Sequence, residues 1–552
     1  MRKTHLASLG AAFLSLVIAG QALASSATDS QANSPQVAGD PASDTTARFP
    51  TNKQNEPTIA IAPDGTHAIA GSNDEQKQPP CGPGPVRGTT APANDCSFFP
   101  GVGTSGVYTS TNAGATWTNR GMLPGYTDTG TSVAASAGAL STSVAPGTIV
   151  SDGDPVIVFG PKQGSNGAFS FANGVRAYYA NLASFAQGAA KGNQAPELLA
   201  VSISDDFGAS WFEPIVAANG HGHIFNDKEA IWADRNSNSP FFGRVYISWT
   251  QFRSVAETAE PVMFAFSADG GLTWSNPNQL SAAHNNASIG GRQGSTIRSG
   301  PDGAVYVIWE DSDQQGSEQV VQVSRDGGLT FSKSITVGRL VDIHDPIPGA
   351  NFRTDSFASA GVDQNNGAVY VAWATRTSSG GRIVVAKSAD GGATWSSPTQ
   401  VSTAAEGYAF FQGLDVAPNG RVDVGYQALK ATSTTTYGTG NATIDSFYVS
   451  SSNGGTTWSA PLKVSSASSD PAASAQNNLR RQFWGDYNTL ASTNATALFI
   501  YTDTRHGQGC AAVDAFQHGV DGSGPVVAKP APPAVCGPQF GNSDVFVSKI
   551  TP

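Results

Sequence analysis

The stretch SADGGLTW at residues 267–274 returns almost unchanged as SADGGATW at residues 388–395. Four looser copies begin at Ser110, Ser204, Ser324 and Ser451. After one longer first interval, the copies follow one another at about 60 residues. A regular period in this range is typical of solenoids and propellers, in which each unit covers the apolar face of its neighbour. The repeat therefore decides the fold of this chain.

The residue types of the repeat predict a tight β-turn. The third residue is Asp or Asn, whose side chain accepts hydrogen bonds from backbone amides of its own turn. The fifth residue is Gly in every copy and supplies a positive φ. The final aromatic residue is expected to pack a large apolar area against the adjacent unit. We therefore interpret the third residues as structural: Asn112, Asp206, Asp269, Asp326, Asp390 and Asn453.

Each copy follows a pair of predicted strands. Alternating apolar runs flank a glycine-containing turn in residues 295–311, 356–375 and 411–428. A third strand precedes the repeat and a fourth follows it, as in WSSPTQVS at residues 395–402. Four strands per unit are typical of a propeller blade. We therefore predict an all-β fold, a β-propeller built on the repeat.

A seventh unit without the repeat ends the chain, in residues 486–505 and 544–552. It supplies only three strands. We expect its fourth strand from the N-terminal part of the mature chain, near residues 36–40, because such a strand would close the ring and remove its open edges. The prediction is a propeller of seven blades over residues 51–552, with six blades as the alternative.

The first 24 residues are predicted to be a secretory signal peptide. Arg2 and Lys3 precede an apolar run, and Ala22-Leu23-Ala24 forms a cleavage site with the cut after Ala24. The protein is therefore expected to be secreted or periplasmic. Residues 25–50 are small and polar and are predicted to form a flexible leader. No later run approaches about 18 apolar residues, so no membrane insertion is expected.

Charge and cysteine content indicate which partners and cofactors are not expected. The chain of 552 residues has a formal net charge of -11 and no basic stripe, so nucleic acid is not an expected partner. We expect a monomer. The four cysteines are expected to form two local disulfides, Cys81 with Cys96 and Cys510 with Cys536. A zinc site is not expected, because the chain has no CxxC and no histidine at ligand spacing.

The consensus S-x-D-x-G-x-T-W resembles the Asp-box, or BNR repeat, of sialidases and related β-propellers, over about residues 55–550. The chain as a whole is similar to bacterial secreted sialidase-like proteins. This resemblance implies a glycoside hydrolase of the exo-α-sialidase (neuraminidase) type. It also implies an arginine triad for the sialic acid carboxylate, an Asp proton donor, and a Tyr nucleophile activated by Glu. The Arg-Ile-Pro signature of these enzymes does not occur, and the corresponding segment reads NKQNEPTI at residues 52–59.

The candidate site lies where the chain enters the inner strands, since such propellers bind ligands on that face. Three arginines hold equivalent positions there, in GRQGS, FRTDS and RRQFWGD: Arg292, Arg353 and Arg481. If they converge on one axis, they form a clamp for a substrate carboxylate or sulfate. The alternative is three separate ion pairs with neighbouring carboxylates such as Asp355 and Asp486.

Acids and one tyrosine at the same strand ends are the candidate catalytic residues. Asp227 and Glu229 alternate along a predicted strand, so both are expected to face one side. One of them would be the proton donor of a hydrolase. Tyr487 is the candidate nucleophile, and Asp486 directly before it is a further candidate carboxylate.

Neighbouring aromatic and acidic residues have candidate roles as well. Trp484 is a candidate for stacking on a sugar ring, although aromatic residues near this face are more often part of a core. Glu310-Asp311 and Asn73-Asp74-Glu75 follow second strands and offer oxygen ligands for a structural calcium ion, without the spacing of an EF-hand. No other metal or cofactor is expected.

The favoured function is hydrolysis of terminal acidic sugars, of the sialic acid type, from glycans or glycoconjugates. The first alternative is a non-catalytic glycan-binding or adhesion propeller, which would have a shallow aromatic face. The second is another carbohydrate-active enzyme, an endo-glycanase or a polysaccharide lyase, which would have an open groove and a Tyr or His base near an arginine.

Overall fold

Seven four-stranded antiparallel sheets surround one axis. The innermost strands pack side by side in chain order, and that of the last sheet packs against that of the first. This computed structural model describes residues 25–36, 43, 53–77, 84–86, 89–91, 103–126, 149–185, 197–220, 224–253, 259–283, 291–313 and 316–552. The prediction of an all-β propeller with seven blades is confirmed, and the alternative of six blades is wrong.

The four strands of each blade run from the axis outward. Blade 1 contains β2 (Gln54–Ile61), β3 (Ala68–Asp74), β6 (Ser105–Ser110) and β7 (Thr118–Met122), with an inserted hairpin of β4 (Gly84–Val86) and β5 (Thr89–Ala91). Blade 2 contains β8 (Ile149–Gln163), β9 (Phe169–Phe185), β10 (Leu198–Ser204) and β11 (Ile215–Ala218). Blade 3 contains β12 (Ile224–Ala233), β13 (Val245–Arg253), β14 (Val262–Ser267) and β15 (Asn278–Gln279).

Blades 4 to 7 repeat this order. Blade 4 contains β16 (Arg292–Ser299), β17 (Val305–Asp313), β18 (Gly316–Ser324) and β19 (Ile335–Leu340). Blade 5 contains β20 (Ser359–Val362), β21 (Val369–Thr377), β22 (Gly380–Ser388) and β23 (Thr399–Gln400). Blade 6 contains β24 (Tyr408–Val416), β25 (Val422–Ala431), β26 (Ala442–Ser451) and β27 (Leu462–Lys463). Blade 7 contains β28 (Thr489–Ser492), β29 (Ala497–Asp503), β30 (Asp544–Thr551) and β1 (Ser26–Gln31).

Little of the described part of the chain is helical. A 3-10 helix (Pro471–Ala473) precedes blade 7, and α1 (Ala511–Asp521) and α2 (Pro532–Val535) lie between β29 and β30. A disulfide joins Cys510 to Cys536, the second of the two pairings expected from their spacing, whereas Cys81 and Cys96 lie outside the described residues. Of the helices in the described part of the chain, none is long and apolar enough to cross a membrane.

The N-terminal strand β1 completes blade 7 by pairing with β30, from Ser26 opposite Thr551 to Gln31 opposite Phe546. Closure by an N-terminal strand is therefore confirmed, but its predicted position at residues 36–40 is wrong. The flexible leader is also wrong for the residues of β1. The outermost strand of a blade faces solvent and needs no apolar run, so its small polar residues resemble those of a linker. The predicted signal peptide lies outside the described residues.

Polar side chains anchor β1 to its blade. Arg505 Nη2 lies 2.7 Å from Asp29 Oδ2 in β1 and 2.8 Å from Asp503 Oδ2 at the end of β29. Gln31 Nε2 donates a hydrogen bond to Asp544 Oδ1 at 2.8 Å. Backbone hydrogen bonds between strands form with any sequence. These side-chain contacts need particular residues, so they favour β1 over other segments at this edge.

The six repeated turns share one hydrogen-bond pattern. In the turn at residues 267–274, Asp269 Oδ1 accepts from Ser267 Oγ at 2.7 Å and from the Thr273 amide at 2.9 Å. Asp269 Oδ2 accepts from Thr273 Oγ1 at 2.6 Å. The equivalent side chain accepts the equivalent amide in the other turns: Asn112, Asp206, Asp326, Asp390 and Asn453. Each of these side chains thus closes its own turn.

Each of the turns also contacts the preceding blade. Gly328, the fifth residue of its turn, has a φ of +94° and faces Phe264 on β14, so an added Cβ would lie 2.6 Å from the ring. The carbonyl of Gly327 accepts a hydrogen bond from Arg244 Nη1 at 2.6 Å. Three more turns accept such a bond at the same carbonyl, from Arg176 to Gly270, from Arg325 to Gly391 and from Lys387 to Gly454. The repeat is therefore a contact between blades as well as a turn.

Replacing Gly328 by alanine is expected to destabilise the protein by about 2–4 kcal/mol, since the left-handed φ costs about 1 kcal/mol and overpacking about 1–3 kcal/mol. The matched control is Gly440→Ala, where φ is +77° but open space surrounds the new Cβ. It should cost only about 1 kcal/mol. Urea unfolding followed by tryptophan fluorescence measures both losses. Equal losses would show that the contact with Phe264 does not stabilise the ring.

Candidate functional site

Five of the seven innermost strands contain a β-bulge at the same position, three residues before a buried Ile or Leu. The first residue of each bulge has a φ between +46° and +64°. These residues are Glu56, Asp154, Lys228, Gly294 and Phe411. A positive φ strains every residue except glycine, and bulges re-aim side chains next to functional sites. The strained backbone therefore marks this end of the axis as the candidate functional site.

A cavity of about 850 Å³ opens at this end of the axis. Its wall carries nine acidic residues: Glu56, Glu75, Asp152, Asp154, Asp227, Glu260, Asp345, Asp355 and Asp486. Among the described residues of the wall, the basic ones are Lys228 and Arg353. Four phenylalanines supply apolar surface: Phe225, Phe252, Phe357 and Phe483. The cavity is large enough for a small oligosaccharide, and its wall is strongly acidic.

A smaller cavity of about 100 Å³ continues from the first. The two cavities share four wall residues: Lys228, Asp355, Phe357 and Asp486. Lys228 Nζ lies 3.5 Å from the ring centre of Tyr487, which lines the smaller cavity. Lys228 therefore lies between the two cavities and covers the Tyr487 ring of the smaller one.

Of the three candidate arginines, Arg353 lines the large cavity. Its Nε donates a hydrogen bond to Asp486 Oδ1 at 2.8 Å, and its Nη2 donates to Asp486 Oδ2. The same Nη2 lies 3.8 Å from Glu56 Oε1. The side chain keeps 48% of its surface exposed, so a ligand in the cavity has access to the guanidinium.

The other two candidate arginines pair with different acids, Arg481 with the wall residue Asp345 and Arg292 with Asp311. Arg481 Nη2 lies 2.7 Å from Asp345 Oδ1, and Arg292 Nε lies 3.4 Å from Asp311 Oδ2. The structure thus has three separate ion pairs, which is the alternative to a clamp. The predicted converging triad does not form, because a carboxylate near each guanidinium neutralises it in place.

Trp484 does not reach the cavity. It is 1% exposed, and its Nε1 donates a hydrogen bond to Gln427 Oε1 at 2.8 Å. Its ring centre lies 6.0 Å from that of Phe352, inside a buried apolar cluster. The predicted role in stacking on a sugar is wrong, because the indole is a core residue with its one donor satisfied.

Asp227 and Glu229 do not share one face. Lys228 between them has a φ of +49°, and this bulge breaks the alternation of the strand. Asp227 lines the large cavity, whereas Glu229 is fully buried and lines the smaller one. Neither carboxyl oxygen of Glu229 has a hydrogen-bond partner among the described residues. Burial, followed by the charge of Asp154, raises the pKa of Glu229 well above its usual range.

Asp227 is placed to carry a proton at neutral pH. Burial raises the pKa of Asp227 to about 7, with the charge of Asp154 as the second cause. The amide of Lys228 donates to Asp227 Oδ1 at 2.9 Å and holds the side chain in place. In blade 1, burial and then the charge of Asp154 raise the pKa of Glu56 well above its usual range. A carboxyl group with a pKa near 7 fits a general acid in an enzyme that works at neutral pH.

Tyr487 lies in surroundings that oppose its ionisation. Burial raises the pKa of Tyr487 well above its usual range, and the charges of Asp154 and Glu56 act in the same direction. Its hydroxyl group is buried and has no hydrogen-bond partner in the described part of the chain. Within the described residues, the predicted role as an activated nucleophile therefore lacks a base hydrogen-bonded to this hydroxyl group.

The acids at residues 73–75 are held by protein donors. Asp74 Oδ1 accepts from Gln54 Nε2 at 2.9 Å, and Asp74 Oδ2 accepts from Tyr108 OH at 2.8 Å. Glu75 Oε2 lies 3.9 Å from Lys53 Nζ. These oxygens are already satisfied, so this segment is a poor candidate for calcium.

The sequence patterns do not single out three residues of the cavity wall: Asp152, Lys228 and Glu260. A signal for Lys228 does exist, since it stands three residues before the buried Ile231, as Glu56 stands before Ile59. Alignment of the inner strands on this buried residue reveals the bulge position. Asp152 and Glu260 do not follow this pattern. Asp152 lies at a further irregularity of β8, between Ser151 and Gly153, and Glu260 lies in the connection before β14.

No family model matches the sequence, and no curated protein matches it. Solved structures similar to this chain include an α-L-arabinanase from Penicillium chrysogenum in complex with arabinobiose, with 13% identity, a TM-score of 0.44, and coverage of 73% of this chain and 94% of that chain. An intramolecular trans-sialidase from Ruminococcus gnavus has 13% identity, a TM-score of 0.40, and coverage of 71% and 91%. A protein of unknown function from Dyadobacter fermentans has 13% identity, a TM-score of 0.41, and coverage of 71% and 93%.

The acidic cavity makes stability depend on pH. Because the folded-state pKa of Asp227 is raised to about 7, its favourable contribution is present below the unfolded-state pKa of about 3.9 and is lost as the pH rises through about 7. The thermal midpoint is therefore expected to fall between about pH 5 and pH 8. Asp227→Asn should make this dependence shallower. Asp521→Asn, at an exposed carboxylate that accepts from Ser523, is the control and should leave the slope unchanged. Parallel curves for the native protein and Asp227→Asn in differential scanning fluorimetry would contradict the assignment.

Proposed function

We propose that the protein hydrolyses glycosidic bonds of glycans in the large axial cavity, with carboxyl groups as the reactive residues. The proposal is carried by one observation, the presence of two unlike carboxyl groups in one open cavity. Asp227 has a pKa raised to about 7 by burial, whereas both oxygens of Asp486 accept hydrogen bonds from Arg353. Glycosidases that use paired carboxyl groups need one proton donor and one base or nucleophile with different environments.

The residues divide these tasks according to their surroundings. Asp227 is the proton donor to the leaving oxygen, since it holds a proton near neutral pH. Asp486, held by Arg353, is the base or nucleophile on the other side of the bond. The four phenylalanines of the wall offer apolar faces for sugar rings. Lys228 lies where the large cavity meets the smaller one, over the Tyr487 ring, and limits how deep a sugar enters.

The charge of the wall favours an uncharged or positively charged sugar. The raised pKa values of Glu56, Glu75, Asp227 and Asp355 reduce the negative charge of the wall. The other five wall acids still outnumber the two basic residues, so an anionic sugar would be repelled on its approach. One observation supports the terminal acidic sugar expected from the sequence, namely the exposed guanidinium of Arg353. That guanidinium already binds Asp486 through two N–H groups, and a substrate carboxylate would have to displace this partner. Hydrolysis of sialic acid type sugars is therefore the second candidate.

Asp227→Asn is expected to lower kcat/KM at least about 100-fold on the preferred substrate, because the general acid is lost. A panel of fluorogenic glycosides identifies that substrate, with uncharged pentosides and hexosides, glucosaminides and a sialoside. The activity of the native protein should fall above about pH 7, where Asp227 loses its proton. The matched control is Asp345→Asn, which removes another carboxylate of the same wall and should change kcat/KM less than about 3-fold. Full activity of Asp227→Asn would refute the assigned role.

Arg353→Lys separates the two substrate classes. Lysine keeps the charge but cannot donate two parallel hydrogen bonds to a carboxylate. If the substrate is uncharged, the variant should mainly lower kcat, because Asp486 loses its orientation while substrate binding is retained. If the substrate is a sialoside, KM should rise as well, because the sugar carboxylate loses its partner. Binding of a glycan in calorimetry without turnover of any substrate would instead identify a non-catalytic glycan-binding propeller.

A further inference from the structure

Three carboxyl groups converge between blades 4 and 5, at the edge of the large cavity. One oxygen each of Glu310, Asp342 and Asp355 lie within 4.8 Å of one another. Glu310 stands on β17, whereas Asp342 and Asp355 belong to the connection between β19 and β20. The arginines nearby are engaged with other acids, Arg292 with Asp311 and Arg353 with Asp486. Within the described residues, the three carboxyl groups therefore have no basic partner.

Two oxygens of this cluster are buried without a hydrogen bond. Glu310 is 5% exposed, and its Oε2 has no donor in the described part of the chain. Asp342 Oδ1 is also buried without a donor. A buried carboxylate oxygen without a partner is costly, so such atoms are normally paired or coordinate a metal. These two oxygens indicate that the cluster has a positively charged ligand.

A buried amide stands next to the three acids in the fold. Gln319 is fully buried and stands directly opposite Glu310 in the pairing of β17 with β18. Its Nε2 donates a hydrogen bond to the Ser356 carbonyl at 2.8 Å, next to Asp355, whereas its Oε1 has no partner among the described residues. The Gln319 side chain thus connects the two segments that supply the acids, and its Oε1 remains available to accept or to bind a cation. Three carboxylates and one amide oxygen are a common ligand set for a hard cation.

The remaining oxygens are held in place by short hydrogen bonds. Asp342 Oδ2 accepts from Ser317 Oγ at 2.6 Å, and Asp355 Oδ1 accepts from the Ser356 amide at 2.7 Å. Each of these two carboxylates is thus fixed through one oxygen and has the other available. Fixed ligands reduce the conformational entropy lost when a metal ion binds.

The geometry points to a binding site for a divalent metal ion, preferably calcium, formed by Glu310, Asp342, Asp355 and the amide oxygen of Gln319. All four donors are oxygens, with no histidine or cysteine in the group, so zinc and copper are disfavoured. Calcium binds six to eight oxygens in flexible geometry, and water would supply the rest. The ion would tie the connection between β19 and β20, which carries Arg353, to blade 4. The proposal does not depend on the function proposed above.

The competing explanation is that protons, not a metal ion, hold the three acids together. Burial, followed by the charge of Asp355, raises the pKa of Glu310 well above its usual range. Burial also raises the pKa of Asp355 to about 7. Both raised pKa values apply to the cluster when no cation is bound between the acids. A cluster stabilised by protons and one stabilised by metal respond oppositely to added calcium and to the loss of one carboxylate.

Calorimetry on the full-length mature protein tests the site. After removal of metals with EDTA, titration with calcium chloride at neutral pH should show a site with a dissociation constant between about 10⁻⁷ and 10⁻³ M, and magnesium should bind more weakly. Glu310→Gln keeps the shape of the side chain and should weaken calcium binding at least about 10-fold. Asp342→Asn, at a less buried position, should do the same and serves if Glu310→Gln folds poorly.

The control is Asp311→Asn, which removes the neighbouring carboxylate outside the cluster and should change calcium affinity less than about 3-fold. Calcium should also raise the thermal midpoint of the native protein and of Asp311→Asn by at least about 2 °C, but not that of the other two variants. The proposal is overturned if the native protein binds none of calcium, magnesium and manganese up to about 5 mM. It is also overturned if Glu310→Gln and Asp342→Asn bind calcium with the affinity of the native protein. A third contrary outcome is that Glu310→Gln has a higher thermal midpoint than the native protein in EDTA while calcium changes the midpoint of none of the proteins.

Discussion

The contact between each repeated turn and the blade before it is the interaction on which the rest of the structure depends. Arg244 and Phe264 of blade 3 contact the backbone of Gly327 and Gly328 in blade 4. The backbone approaches these side chains too closely for any Cβ, so glycine sets the spacing between blades. Because the contact recurs around the ring, neighbouring blades are held at similar distances. This regularity is what brings the ends of several inner strands together around one cavity.

Strain and like charge are concentrated at that cavity. Glu56, Asp154 and Lys228 have a positive φ, and the loss of solvent around Asp227 together with neighbouring acids raises the pKa of Asp227. Each of these features lowers stability, and such features persist in proteins where a rigid surrounding structure tolerates them and a ligand requires them. The blades are the rigid surrounding structure here, and the strained residues and the clustered acids lie at the cavity. The distribution of strain thus locates the candidate site independently of any resemblance to other proteins.

Sequence patterns predicted the parts of the structure that are determined locally. The turn at residues 267–274 is specified by its own serine, aspartate, glycine and threonine, so the propeller follows from its six copies. The seventh blade, which lacks the turn, follows from the strand pattern of residues 486–505 and 544–552. The pattern of β1 was not recognisable, because an outer strand needs no apolar residues. The partners of Arg292 and Arg481 were not predictable either, since Asp311 and Asp345 approach them only through the fold. A single positive φ at Lys228 separated Asp227 from Glu229, and strand periodicity contains no information about such a bulge.

Blade 7 is the seam of the ring, because its strands come from both ends of the chain. Segments so distant in sequence meet late and slowly during folding, since loop closure is entropically costly and long-range pairing is slow. Until β1 arrives, β30 presents a free edge to other chains. A chain that lost β1 would keep this edge open, and an unpaired edge strand is a template for pairing with another chain. The six residues of β1 therefore protect the last blade as well as complete it.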